Sequence, residues 1–322
     1  MKKLYPLKFQ PIWKPKAWGG ESWDVCGFED DASVITEGFL SGNDLPDILE
    51  TYLGDLVGDE IFDWYNLNFP LLIKRLDVQD RLSVQVHPDD TVAGERFDCF
   101  GKTEFWYVTE ASPNARIYMG FKEDTDASTL YQACKAGTAD RLLNAYTPRP
   151  GDYFFIKPGT VHAADGGVKI TEIQESSDLT FRLYDWGREL NPATRREMHL
   201  EEALDCIDYK KYDDAACHGY DPEGVRVLAQ CPQFVITSLK LREPARVSMD
   251  DFKSCVVYNC LFGAVTFATG GETYPLTTGE VLLVPASCDN LLITPASGGV
   301  HLLQTHLPQP PKDDVYDGPE LP

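Results

Sequence analysis

Histidine and glutamate side chains, which bind divalent cations in many proteins, recur on successive predicted strands. His87 ends the segment SVQVH, and Glu104 lies in the next strand-like segment, KTEFW. His162 follows the segment KPGTV, where a Pro-Gly turn can present an imidazole at the start of a strand. Imidazole and carboxylate together suit a borderline cation such as Zn²⁺. The spacing therefore predicts a metal site with an open position for a substrate.

Strand periodicity adds two polar residues to this site. Side chains two positions apart in a strand point to the same side. Gln85 and His87 are two positions apart, and so are Lys102 and Glu104. Gln85 can therefore add a carbonyl oxygen to the ligands, and Lys102 is expected beside the carboxylate. A lone histidine in a strand is more often an ordinary core or surface residue, but the combination on successive strands favours the metal site.

A second group of chemically active residues lies in the segment EIQESSDLTFRLYDW, which starts at Glu172. The pattern predicts a strand that ends at Glu172, a turn at ESSD and a returning strand that carries Arg182. On this interpretation Glu172 and Arg182 lie across a hairpin, close to the metal site. An ordinary cross-strand ion pair between them is an alternative that the residues alone leave open.

Short strand-like segments dominate the sequence around these residues. Runs such as FPLLIKRLDV, ARIYMGF and DYFFIKP are separated by turn-rich pieces, a pattern typical of an antiparallel sandwich or barrel. A second β-rich segment begins after about Asp221, and its GEVLLVPAS is similar to the earlier GDYFFIKPG. We therefore expect a mainly β protein with two related barrels in tandem.

Helical patterns interrupt the strands at three places. Apolar residues recur with helical spacing over about residues 43–65, where Asn43 or Asp44 can cap the helix and Pro46 suits its first turn. An inserted helix is predicted over about residues 127–146. A further apolar stripe, which starts at Leu200, predicts another helix.

Composition sets broader limits. The 322 residues include 51 acidic and 29 basic side chains, a formal net charge of −22 that argues against nucleic acid or an anionic membrane as a partner. The 9 cysteines include no C-x-x-C pair, which is typical of reduced thiols. No apolar run approaches the roughly 18–20 residues of a membrane span, and no signal peptide is evident. We expect a globular, cytoplasmic protein that is a monomer or a homodimer.

Four of these segments, in this order, resemble the motifs of one known family. QVHPDD, GKTEFWYV, PGTVHA and EIQESSDLTFRLYDWGR are similar to motifs of the type I mannose-6-phosphate isomerases (phosphomannose isomerases) in their short bacterial form. These enzymes belong to the cupin superfamily. The resemblance extends to AWGG near the N terminus and to HLEEALDCIDY, and it covers most of the chain to about residue 210. The C-terminal part is similar only loosely.

The resemblance implies two tandem cupin (jelly-roll-like) barrels, with one catalytic Zn²⁺ per subunit in the N-terminal barrel. The implied ligands are His87, Glu104 and His162. Gln85 matches a glutamine ligand that is known in part of the family.

The resemblance also implies the reaction, which interconverts mannose 6-phosphate and fructose 6-phosphate through a cis-enediol intermediate. Arg182 matches the family's catalytic arginine, and its permanent charge suits an enediolate or phosphate oxygen. Glu172 is the candidate base for the proton transfer between C1 and C2. Lys102 is a candidate for ring opening or for holding a hydroxyl group.

The expected domain boundaries follow from the same resemblance. Residues 1–215 would form the catalytic cupin barrel with its helical insertions, residues 216–307 a non-catalytic cupin-like barrel, and residues 308–322 a proline-rich tail. The second barrel lacks a comparable ligand set, because residues 286–289 (ASCD) stand where a ligand histidine would follow the segment VP.

The phosphosugar substrate is a dianion, and a net charge of −22 opposes it unless the pocket is locally positive. The basic residues in or beside the predicted barrel strands are Lys74, Arg75, Arg81, Lys102 and Arg182. The sequence does not assign the phosphate to any of them. Two other functions stay open: another metal-dependent cupin enzyme, such as an Fe(II) dioxygenase, and a sugar-phosphate-binding sensor.

Overall fold

A computed structural model describes residues 2–310, and most of its regular structure is β-strand. Residues 311–322, which hold most of the predicted tail, lie outside the described residues. The strands are β1 (Ile12–Lys16), β2 (Gly19–Val25), β3 (Leu71–Val78), β4 (Val84–Val86), β5 (Glu104–Ala111), β6 (Arg116–Phe121), β7 (Leu143–Tyr146), β8 (Asp152–Ile156), β9 (His162–Asp165), β10 (Val168–Glu175), β11 (Phe181–Tyr184), β12 (His218–Tyr220), β13 (Val225–Gln230), β14 (Val235–Leu241), β15 (Ala245–Val247), β16 (Val256–Thr269), β17 (Glu272–Thr277), β18 (Val281–Val284) and β19 (Leu291–His306). The α-helices are α1 (Leu45–Tyr52), α2 (Gly54–Val57), α3 (Asp59–Tyr65), α4 (Asp90–Phe97), α5 (Ala127–Lys135), α6 (Leu200–Ala203) and α7 (Asp214–Cys217). The mainly β fold is confirmed.

Residues 13–22 and 73–220 form one compact unit, here called the central unit. It is built on a seven-stranded sheet of order β1-β2-β3-β10-β5-β8-β12 and a five-stranded sheet of order β11-β4-β9-β6-β7. One core cluster takes side chains from both sheets, including Trp106 of β5 and Met119 of β6. The unit is therefore a two-layer sandwich with its core between the sheets.

The outer face of the five-stranded sheet packs against helices. Val86 of β4 and Phe181 of β11 belong to a second core cluster with Leu130 of α5 and Leu200 of α6. Because side chains alternate along a strand, the residues between these apolar positions face the space between the two sheets. Gln85 and Arg182 are in such positions.

Strand β4 is shorter than the sequence pattern predicts. It ends at Val86, so that His87 lies immediately beyond its last residue. Pro88 follows and has no N–H with which to continue a ladder. The carbonyl oxygen of His87 accepts a hydrogen bond of 2.8 Å from the N–H of Gly159, which holds the two predicted metal-site segments together.

The predicted helix over residues 43–65 is three short helices. Asp44 caps α1 through its side chain and Pro46 lies in the first turn, as expected. Leu53, with φ 49°, separates α1 from α2, and Gly58, with φ 104°, separates α2 from α3. These left-handed conformations break the helical hydrogen-bonding pattern that the apolar spacing alone would continue.

The predicted inserted helix over residues 127–146 is only half helical. Helix α5 ends at Lys135, and Gly137 follows with φ 69°, a conformation that favours glycine after a helix. The last residues of the predicted helix form β7, which pairs with β6. The expected stripe that starts at Leu200 is buried, but α6 has only four residues.

The remaining described residues, 2–12, 23–72 and 221–310, form a second unit, here called the terminal unit. Its seven-stranded sheet has the order β13-β14-β19-β16-β17, with β15 paired to β19 and β18 to β16. Its core includes Tyr258 and Phe267. All 9 cysteines lie within the described residues and are free thiols, in agreement with the sequence analysis. Within residues 2–310, no helix has the length and apolar character that a membrane crossing requires.

Candidate metal centre and active site

His87, Glu104 and His162 meet in the interior of the central unit. His87 follows β4, Glu104 begins β5 and His162 begins β9. The Glu104 carboxylate lies between the rings, with Oε1 3.4 Å from His87 Nε2 and Oε2 3.4 Å from His162 Nε2. All three side chains are buried. Among residues 2–310 they are the only group of His, Cys, Asp and Glu side chains that brings at least three candidate ligand atoms within 4.8 Å of one another.

Backbone carbonyl groups orient both histidines. His87 Nδ1 lies 3.0 Å from the carbonyl oxygen of Leu179, and His162 Nδ1 lies 2.9 Å from that of Thr160. Because a carbonyl oxygen only accepts, each Nδ1 donates and each Nε2 of the neutral ring keeps its lone pair. Burial lowers the pKa of both histidines, and for His87 burial and the charge of Lys102 lower it to about 4. Both rings are therefore neutral potential ligands at pH 7.

Glu104 is ionised although it is fully buried. Burial by itself would raise its pKa, but Lys102, whose Nζ lies 2.9 Å from Oε1, and then His87 hold the pKa well below its usual range. The expected proximity of Lys102 and Glu104 is thus confirmed.

Two acceptor atoms in this group have no donor. His87 Nε2 and Glu104 Oε2 are buried and receive no hydrogen bond from any residue in the described range. Leaving such atoms unpaired is unfavourable, whereas a cation would satisfy both. The residues present therefore fit a divalent metal, and a donor set of two imidazoles and a carboxylate suits a borderline cation.

Gln85 lies beside this group, but its amide nitrogen is the atom that points toward it. Nε2 of Gln85 is 3.2 Å from His162 Nε2, and Oε1 accepts a hydrogen bond of 3.3 Å from the Ser83 hydroxyl. An amide nitrogen is a donor and does not bind a metal. A half-turn of the amide would exchange the two atoms, so the role of Gln85 as a ligand stays a prediction.

Glu172 lies within β10 rather than at its end, and two donors hold its carboxylate. The indole Nε1 of Trp106 donates a hydrogen bond of 2.7 Å to Oε1, and Lys74 Nζ lies 3.5 Å from Oε2. Lys74 also lies 4.0 Å from Glu21 and 3.7 Å from Asp178. Burial raises the pKa of Glu172 to about 7, although Lys74 opposes the rise. A carboxyl group that titrates near neutral pH suits proton transfer.

The predicted hairpin between Glu172 and Arg182 is wrong. Strand β10 pairs with β5, whereas β11 pairs with β4 of the other sheet, where Arg182 lies opposite Gln85. The chain between β10 and β11 crosses from one layer of the sandwich to the other. No ion pair between Glu172 and Arg182 is therefore present among the described residues, and the ion-pair partner of Glu172 is Lys74 instead.

Glu172 and Arg182 nevertheless line one cavity of about 190 Å³ in the central unit. Lys102, which contacts the Glu104 carboxylate, is also in the lining, and so is Gln85. The cavity thus brings together the four polar residues that the sequence singled out around the metal group.

The cavity also contains functional candidates that the sequence analysis missed or left unassigned. Lys74 is one of them, and a lysine inside the apolar run of β3 was a usable signal because such a residue is seldom buried without a charged partner. Glu21, Asp178 and Arg196 had no such signal, since they lie in segments without clear periodicity. The lining residues with acidic or basic side chains are Lys16, Glu21, Lys74, Lys102, Glu172, Asp178, Arg182 and Arg196.

Several known proteins have sequences similar to this chain. Residues 13–112 match the family model described as "Phosphomannose isomerase type I, catalytic domain". The chain is 33% identical over 273 residues to a mannose-6-phosphate isomerase of Streptococcus mutans, with 84% of each chain covered. It is 30% identical over 309 residues to the mannose-6-phosphate isomerase ManA of Bacillus subtilis, with 87% of this chain and 93% of ManA covered.

A solved structure has the same fold. The crystal structure of the mannose 6-phosphate isomerase from Bacillus subtilis superposes with a TM-score of 0.81 at 26% sequence identity. The superposition covers 94% of this chain and 99% of that chain.

Proposed function

The chain belongs to the mannose-6-phosphate isomerase family, and on that premise we propose that it interconverts mannose 6-phosphate and fructose 6-phosphate at the cavity beside His87, Glu104 and His162. The observation that carries the proposal is the buried pair of unpartnered acceptors on His87 and Glu104, next to a cavity that contains a carboxyl group with a pKa near 7. This isomerisation needs a group that stabilises negative charge on the substrate oxygens and a group that transfers the proton, and these two features can supply them.

The reaction moves a proton between C1 and C2 of the open-chain sugar through a cis-enediol intermediate. A C–H bond next to a carbonyl group is a weak acid, so the negative charge that develops on the substrate oxygens must be stabilised. A base must also accept the proton and return it to the neighbouring carbon.

We infer that His87, Glu104 and His162 hold one Zn²⁺ per subunit, with Gln85 as a further ligand. The neutral imidazoles, the ionised carboxylate and their unpartnered acceptor atoms support this assignment. When bound, the cation supplies Lewis-acid stabilisation of substrate oxygens.

Glu172 is the proposed base. Trp106 and Lys74 each contact one of its oxygens, so that the carboxylate is held in one orientation. Lys74 also favours the ionised form, in which Glu172 can accept the proton from C1 or C2. The raised pKa then allows Glu172 to release that proton to the neighbouring carbon near neutral pH.

Two positively charged side chains complete the proposed site. Arg182 lines the cavity and presents a guanidinium group that can donate to a negatively charged substrate oxygen. Lys102 is bound to Glu104 and also lines the cavity, where its ammonium group can hold a sugar hydroxyl or assist ring opening.

We infer that the two sheets of the central unit correspond to the catalytic cupin barrel and that strands β13 to β19 correspond to a non-catalytic cupin-like barrel. The antiparallel pairing of both units and the structural similarity to the Bacillus subtilis enzyme support this inference. The boundaries 1–215, 216–307 and 308–322 are kept as part of the proposal, as are a cytoplasmic location and a monomeric or homodimeric state.

The two alternative functions are not favoured. The named relatives are isomerases, which disfavours a dioxygenase that uses similar ligands. The intact donor group and the polar cavity disfavour a sensor with a degenerate site.

A coupled assay tests the proposal. Formation of fructose 6-phosphate from mannose 6-phosphate is measured with the purified protein, after chelation and after Zn²⁺ is restored. Activity that disappears with the chelator and returns with the metal is the expected result. A folded, fully metallated sample without turnover would refute the proposed function. Oxygen consumption by that sample would favour the dioxygenase.

A further inference from the structure

A buried carboxylate in the central unit binds two arginines. Asp185 is fully buried, and Arg196 approaches it in a bidentate manner, with Nε 3.0 Å from Oδ2 and Nη2 2.6 Å from Oδ1. Arg188 Nη2 lies 2.8 Å from Oδ1. Burial would raise the pKa of Asp185, but the two guanidinium groups lower it. The ionised aspartate therefore fixes the position of Arg196.

The two arginines face different surroundings. Arg196 lines the active-site cavity. Arg188 is directed elsewhere, since its Nη1 lies 3.5 Å from Asp80 and its Nη2 also donates to the backbone carbonyl of Arg81. Asp185 thus holds one guanidinium group in the cavity lining and one outside it, which gives a matched pair of residues for experiment.

Arg182 lies close to Arg196 in the cavity lining. Burial lowers the pKa of Arg182, and the next largest cause is the positive charge of Arg196. The segment that follows Arg196 is bound to Arg182, because the Nη1 of Arg182 donates to the carbonyl oxygen of Glu197 at 2.6 Å and its backbone carbonyl accepts from the N–H of His199 at 2.9 Å. These hydrogen bonds attach the segment that carries Arg196 to Arg182.

Within residues 2–310, Arg182 is the one basic residue of the cavity lining without a carboxylate in contact, and Arg196 shares its carboxylate with Arg188. Each lysine of the lining has a carboxylate within 4.0 Å: Lys16 contacts Glu21, Lys74 contacts Glu172, and Lys102 contacts Glu104. Within residues 2–310, no carboxylate lies within 4.0 Å of the Arg182 guanidinium. Arg188 and Arg196 share the one buried carboxylate of Asp185, and the exposed Asp80 beside Arg188 screens them only weakly.

We propose that Arg196, positioned by Asp185, binds the phosphate group of the substrate and makes the enzyme selective for phosphorylated sugars, while the neighbouring Arg182 acts at the reacting oxygens. The proposal rests on the proposed function. Asp185 uses one N–H of Nε and one of Nη2, so the Nη1 and Nη2 end of Arg196 keeps donors that can bind phosphate oxygens. The local excess of positive charge also explains how a chain with a net charge of −22 can accept such a substrate.

Three variants test the role of Arg196. Arg196→Ala removes the guanidinium group, Arg196→Lys keeps the charge but not the fork, and Arg188→Ala removes the other partner of Asp185 outside the cavity. The readouts are kcat and KM for mannose 6-phosphate, the inhibition constant of inorganic phosphate, and metal content. Arg196→Ala should raise KM and the inhibition constant by roughly 10–100-fold, the range for a lost hydrogen bond to a charged group. Its kcat should fall much less and its metal content should not change.

The other two variants distinguish a specific role of the Arg196 guanidinium from a general effect of positive charge. Arg196→Lys should recover part of the affinity for inorganic phosphate, and Arg188→Ala should keep the inhibition constant within about twofold of the wild type. Unchanged phosphate inhibition in Arg196→Ala would overturn the proposal. An equal loss in Arg188→Ala would also overturn it, because a general reduction of positive charge would then explain both results.

Direct binding distinguishes failure of this inference from failure of the proposed function. Titration calorimetry with inorganic phosphate requires no turnover. If phosphate binding depends on Arg196 but mannose 6-phosphate is not isomerised, the proposed function fails and the phosphate site stands. If the protein is an active isomerase and Arg196→Ala binds phosphate normally, the phosphate site fails and the function stands.

Discussion

Lys74 Nζ lies 3.5 Å from the Glu172 carboxylate, at a depth where the two side chains are only 3% and 5% exposed. They occupy adjacent strands, β3 and β10. Burial would lower the pKa of Lys74, but Glu172, Glu21 and Asp178 outweigh it and raise that pKa. An isolated charge would be costly at this depth, so each group allows the other to be ionised. The pair thus keeps a potential base inside a poorly solvated cavity.

Replacement of Lys74 by methionine should shift the pH dependence of the reaction. Without the ammonium group, the pKa of Glu172 should rise above its value of about 7. Glu172 must be ionised to accept a proton, so activity is lost as the pH falls through this pKa. The acidic limb of kcat/KM should therefore move to higher pH by about one unit or more.

The control for this shift is Lys169→Met, which removes a lysine of β10 whose partner Glu110 is 67% exposed. It should leave the profile unchanged. An acidic limb at the same pH in Lys74→Met and the wild type would show that Glu172 is not the group that titrates.

His87→Ala should lose metal and activity together. The substitution removes one of three candidate ligands, so metal affinity should fall by more than the roughly 10–100-fold that is typical of a lost outer partner. Metal content per chain, measured by mass spectrometry, checks this expectation. His218→Ala, which changes a histidine remote from the triad in sequence and paired with Asp214, is the control. Normal zinc stoichiometry in His87→Ala would remove His87 from the ligand set.

Gln85→Leu distinguishes two roles of the amide. If Gln85 is a ligand, zinc affinity should fall as far as in His87→Ala. If it acts only as the donor that contacts His162 at 3.2 Å, the fall should stay within about 10–100-fold. Competition with a chelator of known affinity measures the difference, and an unchanged affinity would contradict both roles.

Arg182→Ala should reduce kcat by roughly 100–1000-fold, the range for a lost group that stabilises a developing oxyanion. The side chain is partly exposed and its hydrogen bond to the Glu197 carbonyl lies at an exposed position, so folding and metal content should be preserved. Steady-state kinetics and metal analysis on the same preparation check both statements. A kcat close to that of the wild type would mean that the catalytic role is assigned incorrectly.

Glu175→Gln should change how stability depends on pH. Glu175 accepts a hydrogen bond of 2.6 Å from the N–H of Thr103, but burial and the nearby charge of Asp90 raise its pKa to about 8. The folded protein thus binds this proton more tightly than the unfolded chain. The resulting stabilisation is complete below about pH 4.5, the ordinary pKa of a glutamate, and is lost as the pH rises through about 8.

Urea unfolding at pH 6, 7, 8 and 9 measures this effect. Relative to Glu175→Gln, the wild type should lose up to about 1.4 kcal/mol per pH unit between pH 6 and 8 and much less between pH 8 and 9, where both states are deprotonated. Glu110→Gln, at an exposed position, should differ from the wild type by a constant amount. Parallel curves for the wild type and Glu175→Gln would show that Glu175 does not titrate in this range.

The sequence by itself predicted the grouping of His87, Glu104 and His162 and the class of fold. His87, Glu104 and His162 lie at the ends of short strands, and Lys102 and Glu104 share a side because strand periodicity is a local property of the chain. The alternation of apolar and polar residues likewise determined the mainly β architecture. The family motifs lie in the segments that contain these residues, so the resemblance can be identified from the sequence alone.

Only the tertiary structure decided which residues face one another across the cavity. Glu172 and Arg182 are ten positions apart in the sequence, yet the chain between them changes layers, so Lys74 is the partner of Glu172 and Gln85 lies opposite Arg182. The ion pair between Asp185 and Arg196 depends on an irregular segment in which apolar residues do not recur at a regular spacing. Strand pairing and ion pairing between distant segments are chosen by the packing of the whole unit, and local periodicity contains no information about that choice.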